Sequence, residues 1–188
     1  MRLAILGGGG FRIPLVYAAL TAEDSGVTEV VLYDTDAGRL DVIANVLTAN
    51  RMRAPTVFTT TELDIALEGA DFVFSAIRVG GLAARVQDER VALELGVLGQ
   101  ETTGAGGIAY GLRTIPVARR IAQRVRAVAP RAWVLNFTNP AGMVTEAMRH
   151  VLGDRVVASA TPPSPWPSAP HDCWAWTRIP LSASTTSG

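Results

Sequence analysis

The chain has 188 residues with 17 basic and 17 acidic side chains, so its formal net charge is zero. A neutral chain lacks the excess of positive charge that binds nucleic acid, so we expect no nucleic-acid partner. No stretch is apolar over the length of a transmembrane helix, and the glycine-rich N-terminus does not resemble a signal peptide. We therefore expect a cytoplasmic protein with no membrane partner. A single cysteine, Cys173, excludes an internal disulfide framework.

Short apolar runs alternate with segments of helical periodicity along the chain. The apolar runs predict six strands, at Arg2–Leu6, Glu29–Asp34, Thr56–Thr60, Asp71–Ile77, Ala132–Phe137 and from Val156 onward. The periodic segments predict helices at Pro14–Leu20, Asp36–Met52 (with Asp36 as N-cap), Glu62–Leu67, a segment ending at Ala92, Leu112–Val128 and Gly142–His150, with a glycine-rich loop at Gly96–Gly107. This alternation predicts an α/β fold, a Rossmann-like doubly wound parallel sheet with right-handed crossovers.

The sequence LAILGGGGFR places four glycines directly after the first predicted strand. Gly7 permits the tight turn, and Gly9 lets the backbone approach a pyrophosphate at the N-terminus of the next helix. Arg12 stands where the third glycine of the G-x-G-x-x-G fingerprint would fall. The glycine run by itself is therefore also compatible with an ordinary turn. Its candidate cofactor-binding residues are Gly7, Gly9, Gly10 and Phe11.

Asp34 ends the second predicted strand. In a Rossmann-type site a carboxylate at about this distance from the glycines accepts the ribose 2′-hydroxyl. It would repel a 2′-phosphate, which favours NAD over NADP. Taken alone, Asp34 could instead be a solvated strand-end carboxylate. The order strand, glycines, helix, strand and aspartate predicts an NAD-binding domain over residues 1–157.

Three further stretches are more specific than the fold alone requires. They are IRVGGLAARVQDER at 77–90, GVLGQETTGAGGIAYGLRTIPVA at 96–118 and NFTNPAGMVTEA at 136–147. With the N-terminal GGGG they resemble the family 4 glycoside hydrolases, which include 6-phospho-β-glucosidases, 6-phospho-α-glucosidases and α-galacturonidases. The resemblance extends from Met1 to about Val157. It implies the N-terminal domain of a lactate/malate dehydrogenase-like architecture, with the substrate domain missing from these residues.

The resemblance implies NAD- and metal-dependent hydrolysis of an O-glycosidic bond. In this family NAD⁺ takes hydride from C3 of the sugar, a tyrosine removes the C2 proton, and the glycosidic oxygen leaves by elimination. Water then adds and the hydride returns. A divalent metal, usually Mn²⁺, polarises the sugar oxygens. The favoured substrate is a 6-phospho-β-glucoside, and the resemblance implies a homo-oligomer for the full-length parent.

Matching positions imply roles for individual residues. Arg85 matches an arginine that binds substrate, through its phosphate where there is one, because a guanidinium offers a bidentate fork. Arg78 is a second candidate anion contact. Glu101 matches the acidic position that tunes the basicity of the catalytic tyrosine, Asn139 matches the substrate-binding asparagine, and Asn136 is placed to meet the ribose–nicotinamide half of NAD. Taken individually, these residues could also be a solvated helix charge, a loop carboxylate or turn caps.

After Val157 the chain becomes rich in proline and tryptophan. The family continues here with a sequence similar to VVGLCDTP, whose cysteine binds the metal; a histidine ligand and the tyrosine base come later, so Tyr110 is interpreted as structural. Loss of one G from GC-rich codons for GLCDTP gives ASATPP, the sequence of residues 158–163. We therefore expect residues 158–188 to be an irregular, disordered, out-of-frame tail. We assign no metal ligand in this chain, and we do not interpret the HDC sequence at 171–173 as a metal site. We expect the chain to be inactive.

Two other functions remain open from the sequence. A lactate/malate-type NAD-dependent dehydrogenase would need a catalytic His–Asp pair, and neither His150 nor His171 lies in a suitable motif. A stand-alone NAD-binding module would bind the cofactor without turnover.

Overall fold

The computed structural model describes residues 1–22, 25–48 and 55–158, which build a six-stranded, entirely parallel sheet. Its strands are β1 (Arg2–Leu6), β2 (Glu29–Tyr33), β3 (Thr56–Thr60), β4 (Phe72–Ser75), β5 (Trp133–Asn136) and β6 (Val156–Ala158). They are ordered β3-β2-β1-β4-β5-β6, so the direction of winding reverses between β1 and β4. The predicted Rossmann-like α/β class is confirmed.

Helices cover the two faces of this sheet. They are α1 (Ile13–Ala22), α2 (Ala37–Thr48), α3 (Leu63–Leu67), α4 (Gly81–Glu94), α5 (Gly104–Val128) and α6 (Ala141–Leu152). Alternate side chains of β1 point to opposite faces: Ile5 packs against α1 and α2, whereas Leu6 packs against α3, α5 and α6. Both are completely buried. Each face of the sheet therefore holds one hydrophobic core. Burying a side chain such as Ile5 or Leu6 contributes roughly 1.5–3 kcal/mol to stability.

The glycine-rich segment before α5 differs from the prediction. The predicted loop is wrong for residues 104–107, because α5 already begins at Gly104. A Cβ on Gly106 would lie 2.5 Å from the carbonyl oxygen of Gln100, and one on Gly107 would lie 2.8 Å from the carbonyl carbon of Thr102. These glycines therefore let the preceding segment pack directly on the first turn of the helix.

The predicted start of the second helix is confirmed at atomic detail. The backbone N–H of Arg39 donates to Asp36 Oδ1 at 3.1 Å, which is the N-cap interaction expected of Asp36. The predicted end of this helix and the predicted tail lie outside the described residues, although β6 includes Ala158. Within the described ranges, no helix combines the length and apolarity needed to cross a bilayer.

Candidate functional site

The glycine turn after β1 is held tightly against both neighbouring strands. The N–H groups of Gly7 and Gly8 both donate to the carbonyl oxygen of Tyr33, at 2.9 and 2.8 Å. Gly7 has φ +87°, and a Cβ there would lie 2.5 Å from the carbonyl oxygen of Ala76. A Cβ on Gly8 would lie 2.7 Å from the Cβ of Leu32. Only glycine fits these positions, because atoms of the neighbouring strands, Ala76 at Gly7 and Leu32 at Gly8, occupy the space of a side chain.

Asp34 lies directly beside this turn. Its Oδ2 accepts the backbone N–H of Gly9 at 3.0 Å, and its Oδ1 accepts the N–H of Asp36 at 3.2 Å. A Cβ on Gly9 would meet Arg39 Cβ at 2.6 Å and Asp34 Oδ2 at 3.0 Å. The cradle expected for a pyrophosphate and the carboxylate expected for a ribose are therefore in direct contact, which fits the arrangement of a dinucleotide site.

The other turn residues lie at the start of α1. The N–H of Gly10 donates to the carbonyl oxygen of Gly7 at 3.0 Å. Phe11 is 81% exposed. The Arg12 guanidinium stacks on the Phe11 ring at 5.4 Å and lies 6.0 Å from the Phe137 ring. Arg12 takes the place of the third fingerprint glycine without a clash because its side chain is exposed.

A second group of polar side chains converges on Glu101. Arg78 Nη1 lies 2.7 Å from Glu101 Oε2, and Arg85 Nη1 lies 3.4 Å from the same oxygen. Asn139 Nδ2 donates to the other carboxylate oxygen at 2.9 Å. The structure thus joins all three predicted substrate-binding side chains through the carboxylate of the predicted catalytic residue. We call Arg78, Arg85, Glu101 and Asn139 the Glu101 cluster.

The cluster keeps Glu101 ionised. Burial alone would raise the pKa of the Glu101 carboxyl, but hydrogen bonds from Arg78 and Asn139, together with the charges of Arg78 and Arg85, outweigh it. The pKa therefore lies below its ordinary value. Arg85 also pairs with Glu89, with its Nε 2.8 Å from Glu89 Oε1. The two arginines therefore face two carboxylates, and an incoming anion would compete with Glu89 for Arg85.

We expect acid to weaken the fold through this carboxylate. A pKa that is lower in the folded than in the unfolded chain gives stability that is present above the unfolded pKa and lost as pH falls through the folded pKa. Glu101→Gln should therefore flatten the dependence of the unfolding free energy on pH below about pH 5. Urea unfolding at several pH values measures this, with Glu94→Gln, an exposed residue of α4, as the control. Identical pH curves for the two variants would contradict the expectation.

Tyr110 lies beneath the cluster. Its side chain is buried, with the guanidinium groups of Arg78 and Arg113 at 6.0 and 5.4 Å from the ring. Arg113 also pairs with Asp88 and donates from Nε to the carbonyl oxygen of Val79 at 3.1 Å. Burial raises the pKa of the Tyr110 hydroxyl. These contacts are those of a packing residue that supports the start of α4.

Asn136 lies at the end of β5 with no exposed surface. Its Nδ2 donates to the carbonyl oxygens of Thr138 and Ala141 and to Thr145 Oγ1, at 3.2, 3.3 and 3.0 Å. Its Oδ1 accepts the N–H of Thr138 at 3.1 Å. The side chain therefore holds the turn that carries Asn139, and its predicted contact with a cofactor stays a prediction.

The two groups of residues lie side by side at the carboxyl ends of the central strands. Gly7 packs on Ala76, and Ala76 is two residues before Arg78. Sequence reasoning missed Ser75 and Thr138, whose buried hydroxyls meet at 3.2 Å just below the Glu101 cluster. The signal that could have found them is the position of two small polar residues at the ends of adjacent apolar strands.

The described residues differ from a metal site in their grouping of potential ligands. In the part of the chain that the structure describes, no three His, Cys, Asp or Glu side chains are grouped so that they could hold a metal ion. His171 and Cys173 lie outside that part. The described residues therefore do not fit a divalent metal by themselves.

Comparison with known proteins adds independent evidence. The family model described as family 4 glycosyl hydrolase matches residues 2–160. The 6-phospho-beta-glucosidase of Escherichia coli K12 is 42% identical over 158 residues, which are 80% of this chain and 35% of that protein. A phospho-alpha-glucosidase of Clostridium acetobutylicum is 37% identical over 156 residues, again 80% of this chain and 35% of the relative. This chain thus spans about a third of the length of these relatives.

Solved structures agree with the sequence comparison. A 6-phospho-beta glucosidase from Thermotoga maritima, solved with manganese, NAD⁺ and glucose-6-phosphate, superposes with TM-score 0.81 at 31% identity. That match covers 87% of this chain and 41% of the other. A lactate dehydrogenase from Eimeria maxima superposes with TM-score 0.56 at 15% identity, over 85% of this chain and 43% of that one. The dehydrogenase therefore shares the fold alone.

Proposed function

Because the chain belongs to the family 4 glycosyl hydrolases, we propose that its Rossmann-like domain binds NAD and the phosphorylated sugar of a 6-phospho-β-glucoside. We propose further that the full-length parent hydrolyses the O-glycosidic bond with the help of NAD and a divalent metal, usually Mn²⁺. One observation carries this proposal: the Glu101 carboxylate joins Arg78, Arg85 and Asn139 next to the glycine turn that contacts Asp34.

The cradle supports NAD as the cofactor. Gly7, Gly8 and Gly9 press the turn against its neighbours so that backbone N–H groups at the start of α1 can approach a pyrophosphate. The carboxylate of Asp34 would accept the ribose 2′-hydroxyl and repel a 2′-phosphate. Bound NAD⁺ would supply a reversible hydride acceptor for C3 of the sugar.

The Glu101 cluster supports a phosphorylated sugar as the ligand. Arg78 and Arg85 are each about one third exposed, with 37% of each side chain accessible. Guanidinium groups bind phosphate through paired hydrogen bonds. Asn139 can donate to or accept from a sugar hydroxyl, and Glu101 orients all three side chains. Relatives named for both the alpha and the beta anomer match this chain, and the beta anomer remains our proposal.

The described residues carry binding rather than the complete reaction. They contain no grouped ligands for a divalent metal, so the ligands of the proposed metal would lie outside the described residues. We propose that the 188 residues bind NAD and a sugar phosphate without hydrolysing the glycoside. The proton transfers implied by the family would then need residues beyond those described.

The dehydrogenase alternative is not favoured. Such an enzyme needs a histidine paired with a carboxylate inside the site. His150 lies on the surface of α6, with 71% of its side chain exposed and its Nε2 3.7 Å from Glu146 Oε1 of the same helix. Neither residue belongs to the Glu101 cluster or the glycine turn.

We also propose a cytoplasmic location for this protein and a homo-oligomeric state for the full-length parent. NAD and sugar phosphates are charged metabolites that do not cross a bilayer unaided, which supports a cytoplasmic protein. Four exposed leucines on α4 and the segment after it are available for contacts with other parts of the full-length parent or with a second copy. These leucines are Leu82, Leu93, Leu95 and Leu98.

Calorimetric titration of the 188-residue chain tests the proposed function. We expect NAD to bind and NADP to bind at least about tenfold more weakly, because the Asp34 carboxylate repels a 2′-phosphate.

We expect glucose 6-phosphate to bind to the wild-type chain. Arg85→Gln should weaken the binding of glucose 6-phosphate about tenfold, since a charged hydrogen bond is lost. We expect no release of nitrophenol from a nitrophenyl β-glucoside 6-phosphate with NAD and Mn²⁺ present. Arg90→Gln, an exposed change on the same helix, is the control, and absence of NAD binding would disprove the proposal.

A further inference from the structure

A connected group of buried polar side chains lies where β4 and β5 end. Ser75, Asn136, Thr138 and Thr145 are each at most 9% exposed and are linked to one another by hydrogen bonds. Buried polar groups are costly unless they are paired. Thr138 lies at the centre of the group. It bonds to Ser75 at the end of β4 and to Ile77 just after it, and it also bonds to Asn136 at the end of β5.

The hydroxyl of Thr138 uses its complete hydrogen-bonding capacity. It donates to the carbonyl oxygen of Ser75 at 3.1 Å. It accepts the backbone N–H of Ile77 at 3.1 Å, and the Ser75 hydroxyl lies 3.2 Å away as the remaining donor. A hydroxyl offers one donor and two acceptor sites, so all three are filled by residues more than 60 positions distant in the sequence.

These bonds connect the two segments that carry the Glu101 cluster. Ile77 immediately precedes Arg78, and Thr138 immediately precedes Asn139. Arg78 and Asn139 then reach opposite oxygens of the same carboxylate. β4 and β5 are already paired as far as the Phe137 N–H, which donates to the Ser75 carbonyl oxygen at 2.8 Å. The Thr138 hydroxyl extends this connection beyond the strand ends to Ile77, and it therefore acts on the spacing of the segments from which the two side chains extend.

Asn136 has a different role in the same group. Its amide bonds to Thr138, Ala141 and Thr145, all within nine residues along the chain. It shapes the turn itself. The Thr138 hydroxyl attaches that turn to the neighbouring strand.

We propose that Thr138 is a positioning residue whose hydroxyl holds the end of β4 and the turn after β5 at the spacing that lets Arg78 and Asn139 grip Glu101. The proposal deepens the proposed sugar-phosphate site and rests on it for its purpose. Its geometry can nevertheless be tested without any ligand.

Three variants of the full chain form the test. Thr138→Val has nearly the same shape but no hydroxyl, and it leaves the Ile77 N–H and the Ser75 hydroxyl without their partner. Thr138→Ser restores the hydroxyl. Thr114→Val is the matched control, because the Thr114 hydroxyl is buried in α5 without a hydrogen-bond partner among the described residues.

Two spectroscopic readouts separate positioning from general stability. In Thr138→Val, we expect the NMR titration of the Glu101 carboxyl to move to higher pH, because Arg78 and Asn139 no longer converge on it. We expect amide exchange of Ile77 to become about tenfold faster, since its acceptor is gone. Thr138→Ser and Thr114→Val should retain the original titration, and Thr138→Ser should retain the slow exchange of Ile77.

The outcomes are distinct. A lower melting temperature of Thr138→Val with an unchanged Glu101 titration would overturn the proposal, because it would show a structural role only. If Thr138→Val does not fold, the unaltered chain still decides: an Ile77 amide that exchanges as freely as an exposed loop would overturn it. Failure of the unaltered chain to bind glucose 6-phosphate would disprove the proposed function, whereas the Glu101 titration would still decide the role of Thr138.

Discussion

Gly7→Ala is expected to destabilise the domain by about 3 kcal/mol and to abolish NAD binding. Gly7 has φ +87°, and an added Cβ would lie 2.5 Å from the carbonyl oxygen of Ala76. Left-handed backbone strain costs of the order of 1–3 kcal/mol, and overpacking against a fixed backbone costs about as much again. Urea unfolding measures the change in free energy, and calorimetry measures NAD affinity.

Two other glycines of the same chain serve as controls. Gly142 lies inside α6 with open space around its Cβ position, so Gly142→Ala should stabilise the chain by about 0.5–1 kcal/mol. Gly81 has φ +63° and open space as well, so Gly81→Ala isolates the cost of backbone strain without a clash. Equal stability changes for Gly7→Ala and Gly81→Ala would refute the clash with Ala76 as the cause.

Asp34→Ala is expected to weaken NAD binding by roughly tenfold to a hundredfold, which corresponds to loss of a charged hydrogen bond of about 1.5–3 kcal/mol. NADP binding should fall less or rise, because the negative charge that repels a 2′-phosphate is removed. The ratio of the two affinities, measured by calorimetry, should therefore move toward one. The variant also loses the acceptor of the Gly9 N–H, which loosens the glycine turn.

The neighbouring Asp36→Ala is the matched control for Asp34. Asp36 caps α2 through the N–H of Arg39, so its loss should cost about 1 kcal/mol of stability. It should leave the preference for NAD over NADP unchanged. A change in cofactor preference in Asp36→Ala equal to that in Asp34→Ala would show that local unfolding, rather than the Asp34 carboxylate, governs the choice.

Local patterns in the sequence predicted the sheet and the start of α2, whereas the residues of the Glu101 cluster came from the family resemblance. Alternation of apolar and periodic segments located each strand, because the two faces of a strand and the stripe of a helix differ in period. Asp36 was identified as an N-cap from its residue type and position, and its hydrogen bond confirms it. The resemblance nominated Arg85, Glu101 and Asn139, and the structure brings them together.

What local patterns could not show depends on contacts between distant segments. Gly106 and Gly107 read as a loop because glycine is usually a helix breaker, and only the segment packed on them explains why they are helical. The orientation of Asn136 follows from four hydrogen bonds formed after the turn has folded. The sequence shows Thr138 only as a small polar residue near the end of a strand, and it does not show what the hydroxyl binds, since every partner of that hydroxyl lies on β4 or just after it.

The strand order has a consequence for the order of folding during synthesis. β1 is made first but lies in the centre, and its second neighbour β4 ends at Ser75. At roughly 5–20 residues per second, a ribosome needs about 3–14 s to travel from Leu6, the end of β1, to Ser75. Throughout this interval one edge of β1 has no strand to pair with, and an open edge can pair with another chain. A translational pause between β3 and β4 would lengthen the exposure, so aggregation of the nascent chain should respond to codon speed in that interval.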